Sequence, residues 1–428
     1  MLSTEQQLVY NKFKQGNNIM ITGSAGSGKS YIIKEIVTYC TNVMKLQPSE
    51  IAVTAMTGCA AVLLDCGAQT LHSWSGIGLG TRQFYKILNR ILDKKLYKNR
   101  WEDIKMLIVD EISMMSQRIF DLLDFIGKGV KKNNKPFGGI QLLFSGDFFQ
   151  LPPIGNNNII HSSNFCFESK LWNDTFSLQI LFDKNFRQYN DTKYKNILEE
   201  IKMNKLSKKS YLEIKERIGK SPENGDYPVM LCPRKKTVET INDNKLNMIN
   251  NKLYTYSANI IYEKKDSEDD IDMNDIFKNA MFNKHLQLKK GCQVMCIANI
   301  DVERGLCNGT TGNVVGFDYD NAPIVRFCNG RQITMEKYTW KSDLVRGLSV
   351  EQYPLILAWA MTIHKCQGVT LNQAIIDAGN DIFADGQVYV ALSRVKSLNG
   401  LFLTSFKCSK IITNQKVHNF CMNLKSKI

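Results

Sequence analysis

The chain runs to 428 residues, 43% hydrophobic and 22% charged, a balance that allows substantial cores and favours two or three domains of an ordinary soluble globular protein over one. Its net charge of +14 and pI near 9.1 suit a polyanionic partner, because lysines that neutralise phosphates release counterions, although net charge reports solubility as readily. Twelve cysteines with no Cys-x-x-Cys pair, and five scattered histidines, argue against a disulfide scaffold or a zinc cluster and for free thiols in a reducing compartment.

From the start, Met1 to Gln7 is polar and carries neither a signal-type apolar core nor an Arg-rich transit character. Short apolar runs then recur at Ile19 to Thr22, Ile51 to Thr54, Met106 to Val109 and Ile140 to Phe144, and they read as buried parallel strands. Helical periodicity over Tyr31 to Thr41 and Ile119 to Val130 separates them, which predicts a doubly wound α/β sheet with loops at its strand ends, a nucleotide-binding architecture. The acidic stretch Glu263 to Asp275 is poor in bulky apolar residues and reads as a solvated loop or connection. Between Lys289 and Trp340 the character changes: Gln293 to Ile297, Asn313 to Phe317, Ile324 to Phe327 and Gln332 to Met335 are short strands broken by Gly and Asn, a small all-β region. The α/β pattern then returns, with strands at Pro354 to Met361, Gln373 to Asp377 and Leu401 to Thr404 around a helix from Gly386 to Val395. The longest apolar run, around Tyr353 to Ile363, is too short to span a bilayer.

Chemistry concentrates at three strand ends. Gly23-Ser24-Ala25-Gly26-Ser27-Gly28-Lys29-Ser30 follows the first strand and opens a helix, the setting in which glycines let backbone amides curl around a phosphate. There Lys29 would balance β/γ charge and the Ser30 hydroxyl would complete a Mg²⁺ shell. Asp110-Glu111 closes another strand, where paired carboxylates can hold Mg²⁺ and orient or deprotonate a water, or simply cap and solvate a turn. Gly146-Asp147-Phe148-Phe149-Gln150-Leu151-Pro152-Pro153 follows a third strand, and its prolines stiffen a loop whose Gln150 could contact a γ-phosphate or water; a plain turn is the alternative.

These segments resemble, in order, the motifs of superfamily 1B helicases of the RecD/Pif1 branch. They are Leu2-Ser3-Thr4-Glu5-Gln6, the glycine-rich loop, Thr54-Ala55-Met56-Thr57-Gly58-Cys59-Ala60-Ala61, Thr70-Leu71-His72-Ser73, Asp110 to Met114, and Gly146 to Pro153. Met114 to Leu143, with Lys135-Pro136-Phe137-Gly138-Gly139-Ile140-Gln141, is similar to the signature segment of Pif1-like enzymes. Asn185-Phe186-Arg187-Gln188, Met361 to Leu371 and Gln387 to Arg394 resemble the second-domain motifs, with Cys366 where serine is common.

The resemblance implies two RecA-like P-loop NTPase domains with small insertions, including an SH3-like β domain. Residues 1–178 would form domain 1A with a 1B insertion at about 75–100, within which basic Phe84 to Arg100 suits either a pin-bearing insertion or ordinary packing. Residues 179–288 and 353–428 would form domain 2A around a 2B insertion at 289–352. ATP and Mg²⁺ are the implied cofactors. Gln6 would recognise adenine, Gly23 to Ser30 and Gly368 would line the nucleotide, Ser30 and Asp110 would hold the metal, and Glu111 would activate water. Gln150, Arg187 and Arg394 would sense or stabilise the γ-phosphate, the arginines from the facing domain. Thr57, His72, Ser73, His364, Lys365 and Thr370 would contact single-stranded DNA, and Phe148, Trp74 and Tyr389 would either stack on bases or pack in cores.

The expected activity is ATP-dependent 5′ to 3′ unwinding, with a DNA-stimulated translocase or a nucleotide-switched DNA-binding module as alternatives. The expected partners are single-stranded DNA, forked or tailed duplexes, G-quadruplexes and RNA–DNA hybrids, bound by a chain that is monomeric without DNA and makes no membrane contact. The corresponding locations are the nucleus or a viral replication site.

Overall fold

The computed structural model describes residues 2–64, 66–156, 158–222, 228–262, 282–301, 304, 306–341 and 348–425. The acidic stretch Glu263 to Asp275 lies outside them. The chain forms two compact units, one of Met1–Ser207, Ala384–Ser393 and Ile411–Ile428, the other of Lys208–Phe383 and Arg394–Lys410.

The first unit is built on six parallel strands, β1 (Ile19–Gly23), β2 (Ile51–Ala55), β3 (Gln69–Thr70), β4 (Met106–Asp110), β5 (Gln141–Gly146) and β6 (Leu178–Phe182), in the order β3-β2-β4-β5-β1-β6. β1 and β4 are buried along their whole length, as near-continuous apolar runs require of strands covered on both faces. On one face lie α1 (Thr4–Lys14) and α2 (Lys29–Asn42), whose Val9, Phe13, Ile32, Ile33 and Ile36 share a core with Ile19, Ile21 and Ile180. A capping box starts α1: the Gln6 amide donates to the Ser3 Oγ at 3.3 Å and the Ser3 amide to the Gln6 Oε1 at 2.8 Å.

The other face is aromatic. Phe120 of the helix Gln117–Lys131 meets Phe137, Phe144, Trp172 and Phe176 with ring centroids 5.2–6.2 Å apart. Phe137 is locked by its amide, which donates to Asp124 Oδ1 at 2.8 Å. The Lys135-to-Gln141 signature is thus a packing device between this helix and β5. Basic Phe84 to Arg100 forms the helices Phe84–Asp93 and Lys95–Asp103, which bury Ile87, Ile91 and Trp101.

Two expected boundaries move. A break at 178/179 would cut β6, which pairs with β1 from Ile19↔Leu178 to Gly23↔Phe182, so the first unit runs on to Ser207. The last stretch is not wholly part of the second domain either, since residues 384–393 and 411–428 pack in the first unit, where Phe420 stacks on Phe167 at 4.3 Å.

The second unit holds a parallel sheet in the order Ala360–Thr362, Val229–Cys232, Ala374–Ala378, Leu401–Phe406, and a five-stranded antiparallel sheet ordered Gln332–Thr334, Pro323–Phe327, Thr311–Phe317, Gln293–Cys296, Leu355–Leu357. The expected strand Pro354 to Met361 is really two: Leu355–Leu357 pairs antiparallel with Gln293–Cys296, whereas Ala360–Thr362 pairs parallel with Val229–Cys232. One unbroken apolar run hides the crossing because both sheets bury it. The β region also starts before residue 289, because Tyr254–Ser257 pairs with His285–Leu288 and Asn259–Tyr262 with Leu348–Gln352.

None of the twelve cysteines forms a disulfide. Burial pushes the Cys40 and Cys232 thiols up to about 12 and those of Cys292 and Cys296 to about 11, which keeps them unreactive. Among the described residues no helix is long and apolar enough to cross a membrane.

Candidate active site

The carboxyl ends of β1, β4 and β5 lie on one edge of the first sheet, where parallel α/β sheets collect their ligands. Between β1 and α2 the chain turns through Gly26 (φ +83°) and Gly28 (φ +84°). A methyl group at Gly26 would also collide with the Cβ of Arg187, and one at Gly28 would sit 2.6 Å from Gln6 Nε2. The Lys29 ammonium folds back under the loop and donates to the Gly23 carbonyl at 2.8 Å and the Ser24 carbonyl at 3.0 Å. Gln6, the proposed adenine reader, donates from Nε2 to the Gly28 carbonyl at 3.1 Å, so α1 and the loop share one hydrogen-bonded system.

At the end of β4, Asp110 Oδ1 accepts the Glu111 amide at 2.9 Å. Glu111 occupies the left-handed region at φ 57° and ψ 41°, a conformation that costs a non-glycine residue about 1 kcal/mol. Burial raises the Asp110 carboxyl above the usual range, against the Glu111 amide, the Lys29 ammonium and the Ser30 hydroxyl, which favour its ionised form. Burial likewise lowers the Lys29 ammonium, against the pull of Asp147, Glu111 and Asp110. A carboxylate so desolvated is stabilised by a cation. Asp110 and Ser30 present hard oxygen donors, as Mg²⁺ prefers, and no cluster of three or more His, Cys, Asp or Glu that could hold a metal occurs among the described residues. The set fits an ion held mainly by nucleotide phosphates and water.

The loop after β5 is organised by Asp147, which accepts the Phe149 amide at 3.2 Å and the Tyr389 hydroxyl at 3.0 Å. The same hydroxyl accepts the Ala25 amide at 3.3 Å, so Tyr389 joins the Gln150 loop to the glycine-rich loop. The Gln150 carboxamide oxygen makes no hydrogen bond among the described residues, an acceptor suited to a water.

Arg187 lies in the first unit, not in a facing domain: Asn185 Nδ2 donates to the Ala25 carbonyl at 3.2 Å, the Phe186 amide to the Gly26 carbonyl at 2.8 Å, and the Arg187 guanidinium to the Ser393 carbonyl at 2.9 Å. Arg394, one residue past that carbonyl, belongs to the second unit, where its guanidinium donates to the Val369 carbonyl at 3.4 Å, beside Gly368 and Thr370.

The candidate DNA residues divide between the units. In the first, Thr57 Oγ1 accepts the Ala60 amide at 3.2 Å and so caps its own helix, while the buried Ser73 Oγ makes no hydrogen bond among the described residues. The Ser73-to-Gly76 turn is held by carbonyl bonds from Arg90 (2.5 Å), Arg100 (3.2 Å to Trp74) and Trp101 (3.0 Å). Phe148, placed among the DNA contacts with core packing as its alternative, is 1% exposed and packed against Phe165, Phe167, Trp172 and Phe420, which removes it from any DNA surface. Trp74 packs on Trp101, and Tyr389 is committed to the loops.

In the second unit Lys365 and Thr370 are exposed and His364 is half-buried. Burial holds both His72 and His364 below the ordinary histidine value, hence neutral at pH 7. Sequence reasoning missed Phe383: it is 55% exposed and stacked on His364 at 5.9 Å, with the Arg234 guanidinium 5.7 Å from its centroid. No periodicity or motif around Ile382 to Ala384 marks it.

Residues 1–211 match the family model described as PIF1-like helicase, and residues 273–317 the one described as DNA helicase Pif1, 2B domain. The ATP-dependent DNA helicase PIF1 of Danio rerio is 36% identical over 99% of this chain, which spans 64% of that relative's length. Among solved structures, the Pif1 helicase from Candida albicans is 33% identical with a TM-score of 0.83 over 99% of each chain. The Pif1 helicase from Bacteroides in complex with ADP-AlF3 and ssDNA is 30% identical with a TM-score of 0.71, covering 100% of this chain and 98% of that one. Fold, ordered motifs and a likeness that covers 99% of this chain agree, and the chain belongs to the PIF1-like helicase family.

Proposed function

We propose that this chain is an ATP-driven motor that moves 5′ to 3′ on single-stranded DNA and unwinds duplexes. The observation that carries the reading is the gathering of three candidate loops at one sheet edge, two of which, the glycine-rich loop and the Gln150 loop, are tied together by Tyr389. With nucleotide bound, Lys29 would turn from its loop carbonyls to the β/γ-phosphates, Ser30 and Asp110 would hold Mg²⁺, Glu111 would take the proton of the attacking water, and Gln150 would orient that water through its acceptor oxygen. Mg²⁺ would supply charge neutralisation of the phosphates. Arg187 and Arg394 stabilise charge developing on the γ-phosphate. On the DNA side, His72, Ser73, His364, Lys365 and Thr370 grip the backbone, and the exposed Phe383 ring offers a stacking face. The Bacteroides relative's complex with ADP-AlF3 and ssDNA supports the same pair of ligands.

Strand displacement from 5′-tailed and 3′-tailed duplexes with ATP, with Lys29→Ala as control, tests the reading. Unwinding of the 5′-tailed substrate alone, lost in the variant, is expected. Translocation without displacement would replace the helicase by a translocase, and absence of DNA-stimulated hydrolysis would leave a nucleotide-switched binding module. Forks, G-quadruplexes and RNA–DNA hybrids compared in the same assay rank the structured substrates, and sedimentation without DNA checks for a monomer.

A further inference from the structure

Lys202, the last residue of the helix Thr192–Lys202, is 8% exposed, and no motif contains it. Its nearest partner is not a carboxylate but the Ser24 hydroxyl of the glycine-rich loop, at 2.7 Å. Glu199, 42% exposed at its side chain, stands 3.7 Å away and accepts the Ser24 hydroxyl proton at 2.8 Å. The ammonium also lies 4.9 Å from the centroid of Phe149, next to Gln150. A buried cation whose closest contact is neutral is costly unless another anion completes its surroundings. Lys29 rests on the Ser24 carbonyl at 3.0 Å, so two ammonium groups converge on one loop residue, one through its carbonyl and one through its hydroxyl. Mutual repulsion between them is relieved by a polyanion on that loop.

We propose that Lys202 is a positioning residue for the nucleoside triphosphate: it holds Ser24 from behind, keeps the glycine-rich loop in its phosphate-receiving curl, and ties that loop through Phe149 to the loop that carries Gln150. The inference rests on the glycine-rich loop being the nucleotide site. Its charge acts on the phosphates through Ser24, and its contact with Phe149 makes the placement of Gln150 sensitive to the same bond.

The test measures binding of a fluorescent ADP analogue with Mg²⁺, and steady-state ATP hydrolysis, in the 428-residue chain and its variants. Lys202→Met keeps most of the aliphatic stem and removes the charge. It is expected to weaken nucleotide binding about tenfold, as loss of a hydrogen bond from a charged donor would, and to lower kcat as well as raise KM. Lys202→Arg should recover binding to within about threefold, because a guanidinium can still reach the hydroxyl. Ser24→Ala should weaken binding to a similar degree, and the double variant Ser24→Ala with Lys202→Met should be no worse than either alone, because both act through one bond. Additive losses, or a Lys202→Met chain that melts earlier but binds nucleotide as tightly as the parent, would overturn the proposal and leave Lys202 as scaffolding. Failure of the parent chain to bind the analogue would instead remove the nucleotide site itself.

Discussion

Replacing Tyr389 with phenylalanine removes one buried hydroxyl and keeps the ring. The hydroxyl donates to Asp147 Oδ2 at 3.0 Å and accepts from the Ala25 amide at 3.3 Å. Burial, with Asp147 and Glu199 close by, holds its pKa well above 10, so it is a donor at every working pH. Without it, Asp147 Oδ2 keeps only the Gln150 carboxamide at 3.5 Å, and the Ala25 amide loses a partner. A hydrogen bond to a charged acceptor contributes roughly 1.5–3 kcal/mol and a neutral one about 1, so Tyr389→Phe should cost about 2–4 kcal/mol. For a unit of this size each kcal/mol moves the melting temperature by about 2–4 °C, so a drop of roughly 4–16 °C is expected in a calorimetric scan. The Gln150 loop loses its tie at the same time, so kcat for ATP should fall while affinity for single-stranded DNA stays unchanged. A ring whose role was to stack on bases would leave both the melting temperature and kcat unchanged, because phenylalanine stacks as well as tyrosine. A variant that melts within 1 °C of the parent and hydrolyses ATP normally would refute the bridge.

Gly26→Ala forces a side chain into the left-handed region and into the Cβ of Arg187, and should abolish nucleotide binding with the second unit's melting unaffected; retained binding would mean that the loop can open there. Because burial holds the Lys29 ammonium below the ordinary lysine value of 10.5, ATP affinity should decline with rising pH before that value is reached, as the charged form is lost; constant affinity up to it would contradict the assignment. Lys365→Ala should reduce the salt dependence of single-stranded DNA binding by about 0.7 in the slope of log K against log salt, whereas His364→Gln, which replaces a neutral ring, should leave the slope unaltered at pH 7.5. Equal slopes for both variants would take Lys365 off the phosphate backbone.

The clustering of the proposed nucleotide residues was legible because their motifs are local. Gly23 to Ser30, Asp110-Glu111 and Gly146 to Pro153 each sit within a few residues of a strand end, so spacing alone puts them on one edge. The aromatic rings stayed open between stacking and packing for the converse reason. Phe148 stands in a catalytic loop, but its direction is set by Phe167 and Phe420, and the latter is 272 positions further along. Lys202 and Phe383 carry no pattern of their own, since what distinguishes them is a neighbour remote in sequence. The boundary that the resemblance implied at 178/179 carries no local marker either, and it is the pairing of β6 with β1 that keeps Leu178–Phe182 in the first unit.

The first unit is assembled from three separated pieces of chain, and this orders its completion during synthesis. Ser207 leaves the ribosome 177 residues before Ala384, which at about 5–20 residues per second is roughly 10–35 s. Through that interval the nascent glycine-rich loop has Lys202 behind it but neither Tyr389 above it nor Phe420 over the aromatic face. Tyr389 therefore ties the glycine-rich loop to the Gln150 loop only after the β region of the second unit has been made, and a chain interrupted before residue 389 lacks that tie.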